Sequence, residues 1–267
     1  MKLSFNNIFA EFNEKGAYLK DLYMNNIQII REESDNISTH GGSAVLFPYA
    51  NRVKNAEYEY NSIKYNLPKN DKNNSIHGLI GDEIFEHSSG KCYIEFFKNF
   101  RNFAYPGEAF IKIRYEIKNN EFITKFSVKS VNTDIPVEIG FHSYFNIYGT
   151  PEIKVENKAY KLEYMDNFFP DGNSSLIDLN SLNLLKTKLD NTFYVKDNIL
   201  LNDDKHSIII KRFNMDFIVI YNGEYAGNDS IAIEPMTGAP DAFNNNIGLI
   251  NLKKNEIFEC GYSIELI

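Results

Sequence analysis

The sequence of 267 residues has no tryptophan and only two cysteines. Without Trp, the widest aromatic platform on which a bound ring could stack is missing. Cys92 and Cys260 stand far apart, so they offer neither a metal pair nor a disulfide framework, and two unpaired thiols in a reducing compartment are expected. No apolar run reaches the roughly 20 residues that span a bilayer. The segment from Met1 to Asn7 lacks a sustained apolar stretch, so no secretory signal is expected and the cytoplasm is the expected location. The Asn-x-Ser triplets at Asn36 and Asn228 carry no meaning without such a signal. Positive charge is also in short supply. With 28 Lys and Arg against 36 Asp and Glu, the formal net charge is −8, which argues against nucleic acid or an anionic membrane as a partner. The chain has no glycine-rich dinucleotide fingerprint, no Gly-Lys-Ser/Thr phosphate loop and no Gly-x-Ser-x-Gly elbow. His40, His77, His87, His142 and His206 form no helical pair and have no Cys at zinc spacing, so neither metal nor cofactor is expected.

What the chain does have is 43% hydrophobic and 24% charged residues, the balance of a soluble globular protein. Apolar and polar residues alternate with period two. The run Ala109 to Ile117 meets Asn119-Asn120 and resumes from Phe122 to Val128, which predicts a hairpin across an Asn-rich turn. A second hairpin is predicted from Glu57 to Tyr60 and Ile63 to Leu67. Further strands are predicted at 152–155, 160–164, 207–212, 216–221, 230–233 and 256–266, and the stretch 176–189 reads as a short helix or loop. No Pro-, Gly- or Ser-rich linker interrupts the chain, so residues 1–267 are expected to form one domain. The prediction is an all-β fold, an antiparallel sandwich or barrel, and sandwiches of this size tend to carry a groove across one sheet.

Four groups of polar residues lie among turn formers and aromatics. Arg52 follows Phe47-Pro48-Tyr49-Ala50-Asn51, and it either clamps hydroxyl oxygens with its forked donors or forms a surface salt bridge. His77 precedes Gly78 in a predicted loop. His142 sits in Gly140-Phe141-His142-Ser143-Tyr144-Phe145-Asn146, where Gly140 permits close approach of another segment. A satisfied core histidine and a catalytic one are both open there. Glu234 ends an apolar run before Pro235-Met236-Thr237-Gly238, and a carboxylate at the mouth of a buried strand is costly unless paired or used as a general base.

Taken in order, these groups resemble the aldose 1-epimerase (galactose mutarotase) family. The resemblance runs from Asn51-Arg52 through Asn73-Asn74-Ser75-Ile76-His77-Gly78 and His142-Ser143-Tyr144-Phe145-Asn146 to Glu234-Pro235 and Pro240-Asp241-Ala242-Phe243-Asn244. It implies a large antiparallel β-sandwich of the galactose mutarotase-like type, with a sugar-binding groove on one sheet. It also implies Glu234 as the base that takes the anomeric hydroxyl proton and His142 as the acid that protonates the ring oxygen. Arg52 and His77 match positions that hold sugar oxygens. Asp190, in Leu189-Asp190-Asn191-Thr192-Phe193, matches a third such position. The chain is shorter than typical galactose mutarotases, has Leu79 after His77-Gly78, and lacks an amide in Phe217-Ile218-Val219-Ile220. These departures leave the reaction type standing and the sugar open.

Two alternatives remain at this stage. A hexose-6-phosphate epimerase would need an extra cationic cluster, for which Arg31, Lys98 and Arg101 are the available donors. A non-catalytic carbohydrate-binding protein would have no need of the His142 and Glu234 pair. Among the other residues, His206 after Asp203-Asp204-Lys205 reads as an exposed turn and His87 as a strand end. His40, before Gly41-Gly42, reads as a loop residue with a place near the groove left open, and Cys92 as strand core.

Overall fold

Alternation along Glu108–Lys118 and Glu121–Ser130 puts every second side chain on one face, and that face is buried along the whole hairpin. The Asn119-Asn120 turn has both residues at positive φ, as a two-residue hairpin turn requires. The computed structural model describes residues 1–33, 35–166, 168–227 and 229–267, so Asn228 lies outside the described residues.

The described residues form two large antiparallel sheets. The smaller has eight strands, in the order Glu152–Lys154, Ile199–Asn202, Ser207–Phe213, Ile257–Leu266, Glu121–Ser130, Glu108–Lys118, Tyr93–Arg101 and Glu86–Ser89. The larger has eleven. It runs from the N-terminal meander Lys2–Phe5, Ile8–Asn13, Tyr18–Met24 and Ile27–Ile30 into Gly140–Asn146, Ser230–Met236, Phe217–Tyr221 and Asp190–Tyr194, then ends at Ala159–Asp166 and Phe169–Ile177. Ser43–Leu46 also pairs with Gly140–Asn146. The predicted hairpin of Glu57–Tyr60 with Ile63–Asn66 is present as a separate ribbon. The stretch from Leu176 divides: Leu176 and Ile177 end a strand, and a short 3-10 turn, Leu179–Ser181, follows.

The sheets pack face to face over a continuous apolar core. Phe12 of the larger sheet lies with its ring centroid 4.7 Å from Tyr115 and 6.1 Å from Phe96 of the smaller. Phe141 meets Tyr262 at 5.1 Å, and the Tyr262 hydroxyl shares hydrogen bonds with Ser43 and Ser143, so the sheets are joined directly beneath His142. The all-β sandwich is therefore the observed architecture. No helix among the described residues is long and apolar enough to cross a membrane.

Three readings of single residues are corrected. His206 is buried, with Nδ1 2.8 Å from Oδ1 of Asp203, and Asp203 also accepts from the backbone amides of Tyr148, Lys205 and His206. The carboxylate satisfies turn amides and draws the histidine inward. Cys92 precedes its strand and is half-buried, because the ladder begins only at Tyr93. His87 lies inside Glu86–Ser89, an exposed edge strand.

Candidate active site

Gly140 pairs with Met236 and Ser143 with Ile233, so the antiparallel register sets His142 across from Glu234 on the next strand. Their side chains are almost fully buried, and Nε2 of His142 lies 3.4 Å from Oε1 of Glu234. On the far side Glu234 faces Val219, whose neighbour two residues on, Tyr221, pairs with Asp190. One face of four adjacent strands thus presents His142, Glu234, Val219, Tyr221 and Asp190 to a cavity of about 210 Å³. That is room for roughly seven waters at liquid density, the scale of one sugar ring.

Loops supply the rest. Arg52 enters the cavity wall with its guanidinium over the Phe168 ring at 3.8 Å and its Nε donating to Oδ2 of Asp71 at 2.7 Å. Its loop is held from three sides. The Ala50 amide donates to Oε2 of Glu138, the Arg52 carbonyl accepts from the Asp241 amide, and the Lys54 amide donates to Oδ1 of Asp241. The Pro240-Asp241-Ala242-Phe243-Asn244 block therefore latches the Arg52 loop and does not line the cavity. Gly140 does what the sequence suggests, since a Cβ there would stand 2.6 Å from that of Ala50. His77 and Gly78 both take positive φ, and a Cβ on Gly78 would meet the Phe47 carbonyl oxygen at 2.3 Å. This turn sets the His77 ring edge-on to His142, with centroids 5.1 Å apart.

The electrostatics follow from burial. Loss of water pushes the Glu234 carboxyl well above the ordinary carboxylate range, with the charge of Asp190 adding to the shift and Arg52 opposing it. Burial, then the neighbouring His77, holds His142 well below the ordinary imidazole value. Burial and Arg52 likewise keep His77 neutral. Asp190 is raised by burial and pulled back by Arg52. Burial therefore favours the form of the His142–Glu234 pair in which neither partner is charged, with the proton on Glu234.

All five residues singled out from the sequence, Arg52, His77, His142, Asp190 and Glu234, line the same cavity. Arg52 turns out to be both inward-facing and ion-paired. Of the two readings left open for His40, the place near the groove is the one observed: it lines the cavity, bonds Asp35 through Nδ1 at 2.7 Å and stacks on Tyr225 with centroids 3.6 Å apart. Tyr144 and Asp71 are additions. Tyr144 stacks beneath His142 at 4.9 Å while its hydroxyl donates to the Thr39 carbonyl, and Asp71 aims Arg52. Tyr144 stands two residues from His142 on one strand, where side chains two apart share a face, so strand geometry could have found it. Nothing local marks Asp71. The phosphate donors proposed from sequence are engaged elsewhere: Arg31 with Asp229, Lys98 with Glu83 and Arg101 with Glu108.

Known proteins resemble this chain in sequence and in fold. A family model described as aldose 1-epimerase matches residues 2–265. The uncharacterized protein YihR of Escherichia coli is 24% identical over 242 residues, which cover 82% of this chain and 77% of that one. An aldose 1-epimerase of Streptococcus thermophilus is 24% identical over 152 residues, 52% of this chain and 44% of that one. The crystal structure of a galactose mutarotase-like protein from Clostridium acetobutylicum superposes with a TM-score of 0.88 at 18% identity, covering 100% of this chain and 94% of the other. With its sandwich fold and a family match running almost from end to end, the chain belongs to the aldose 1-epimerase family.

Proposed function

We propose that the protein is an aldose 1-epimerase that interconverts the α and β anomers of an aldohexose by acid–base ring opening and closure. The observation that carries this is the buried cross-strand pair of His142 and Glu234, 3.4 Å apart on the floor of a cavity sized for one sugar ring. Mutarotation needs one base and one acid acting on two oxygens of the same molecule, and this pair supplies both. As carboxylate and imidazolium, Glu234 takes the proton from the O1 hydroxyl while His142 gives its proton to the ring oxygen. The C1–O5 bond breaks, C1 becomes an aldehyde carbon and turns about C1–C2. Closure on its other face returns each proton to where it came from. Ring opening leaves Glu234 protonated and His142 neutral, the form that burial favours, so desolvation assists the bond-breaking step. Arg52 opposes the upward shift of Glu234 and thereby helps to keep the carboxylate available before the step. Arg52, His77 and Asp190 hold sugar oxygens.

The cavity wall also bears on the phosphorylated alternative. Among the described residues lining it, Arg52 is the sole Lys or Arg, and it is already paired with Asp71. That favours an uncharged sugar.

The test is polarimetry on freshly dissolved α-D-glucose and α-D-galactose. The protein should accelerate the approach to equilibrium, and His142→Ala and Glu234→Gln should each lower kcat by at least about 10²-fold with the fold intact. No acceleration, or near-native rates in both variants, would overturn the assignment. Binding of either sugar without acceleration would favour a carbohydrate-binding protein.

A further inference from the structure

Beside the catalytic cavity lies a groove of about 620 Å³, roughly three times its volume, and Thr39, Ile76 and His77 line both spaces. The shared edge is fixed. One amide side chain, Asn70, donates to the Ile76 carbonyl at 3.0 Å and accepts from the Ile76 amide at 2.8 Å, while the Tyr144 hydroxyl holds the Thr39 carbonyl from the other side. A ring seated over His142 and Glu234 therefore borders a preformed space across the Thr39, Ile76 and His77 edge.

The chemistry of that space is selective. Its charged lining residues are Lys15, Lys20, Glu33 and Asp82, two of each sign. Lys15 pairs with Asp82 at 2.6 Å, Lys20 with Glu32 at 2.8 Å, and Glu33 accepts from the Tyr18 hydroxyl at 2.7 Å. With both cations already paired, the groove suits an uncharged ligand better than a phosphate. The remaining polar lining is mostly amide and hydroxyl, including Asn13, Asn36, Ser38 and Asn102. Such groups donate and accept in turn, as sugar hydroxyls do.

We propose that this groove is a second sugar subsite, and that the substrate is an uncharged reducing disaccharide whose reducing ring occupies the His142–Glu234 cavity. The proposal rests on the epimerase reading above and names the substrate class of that same site.

Gly81 provides the test. It lines the groove, its φ is not in the left-handed region, and a Cβ built on it meets nothing within 4 Å. Gly81→Trp should fill the groove without straining the fold, and Gly81→Ala should leave it open. Anomerisation would be followed with glucose, galactose and glucose 6-phosphate, and with the reducing disaccharides maltose, lactose, isomaltose and melibiose. At least one disaccharide should show a kcat/KM about tenfold or more above that of its own reducing monosaccharide. Gly81→Trp should abolish that advantage and keep monosaccharide rates within about twofold, while Gly81→Ala retains it. Monosaccharide turnover with no disaccharide advantage, or an advantage that survives Gly81→Trp, would overturn the subsite. A preference for glucose 6-phosphate would overturn the uncharged ligand. Inertness toward every sugar would instead sink the epimerase reading itself.

Discussion

In the eight-stranded sheet, Glu108–Lys118 and Glu121–Ser130 alternate buried and more exposed positions, whereas Gly140–Asn146 and Ser230–Met236 of the larger sheet are buried at every residue. A strand with one wet face can place polar side chains there at little cost. A strand covered on both faces has no such freedom, and each polar group on it needs a partner. Ser143 has Ser43 and Tyr262, Ser230 has the Ala226 carbonyl and Arg31, and Asn146 has the Gln28 carbonyl. His142 and Glu234 have each other, 3.4 Å apart, and Nδ1 of His142 has no partner among the described residues. The smaller sheet spends its side chains on packing. The larger one keeps two ionisable groups out of water beside an open cavity, and that cost is intelligible only if the groups have work to do.

The comparison breaks first at the packing sheet. Phe126 is fully buried there, with its ring 5.6 Å from that of Phe47. Phe126→Ala should cost about 3–5 kcal/mol of stability, read as a lower denaturation midpoint, because the space cannot fully collapse. Turnover per folded molecule should stay within about twofold. A comparable loss of turnover at full stability would mean that the core behind the site tunes the chemistry, and the division between the sheets would fail.

Glu138 sharpens the comparison from the other side, as a buried acid outside the cavity. One carboxyl oxygen accepts from the Ala50 amide at 3.2 Å, the other has no partner among the described residues, and burial raises the group to about 8. Its folded-state value exceeds the unfolded one, so the folded chain holds a proton that the unfolded chain has released. Stability contributed by the neutral acid is therefore full below the unfolded value near 4.5 and is lost as pH rises toward about 8, with a slope approaching ~1.4 kcal/mol per pH unit. Glu138→Gln should remove that slope, so that the stability curves of variant and parent diverge with rising pH. Parallel curves would show that Glu138 is charged in the folded protein.

How much of this was legible in the sequence depended on the same contrast. Alternation found the Glu108–Lys118 and Glu121–Ser130 hairpin almost to the residue, because one face is wet and the other dry. It does not pick out the N-terminal meander, where Tyr18–Met24 is interrupted by a register shift against Ile8–Asn13, nor the short strands Asp190–Tyr194 and Ile199–Asn202, one in each sheet. Arg52, His77, His142, Asp190 and Glu234 were reached through ordered motifs, and the cavity gathers all five. Asp71 was not, since a carboxylate that aims an arginine 19 residues away leaves no local pattern, and His40 was left between loop and groove because its stacking on a distant tyrosine leaves none either. His206 was misread because its polar neighbours suggested solvent, while Asp203 is bound by backbone amides and holds the ring inside.

The smallest effect concerns the pair itself. It works with one proton, so kcat/KM should fall where His142 gains a second and where Glu234 loses the last, about tenfold per pH unit beyond each limb. Burial moves the lower limb down from the ordinary histidine range and the upper limb up from the ordinary carboxylate range. Both movements widen the plateau, so the lower limb should lie below the ordinary histidine range and the upper limb above the ordinary carboxylate range. The measurement is mutarotation corrected for the spontaneous rate, which itself varies with pH, at substrate well below KM. A lower limb centred near 6.5 would mean that His142 titrates as a solvated imidazole. The site strands would then be wetter than their burial implies, and the contrast with the packing sheet would lose its electrostatic half.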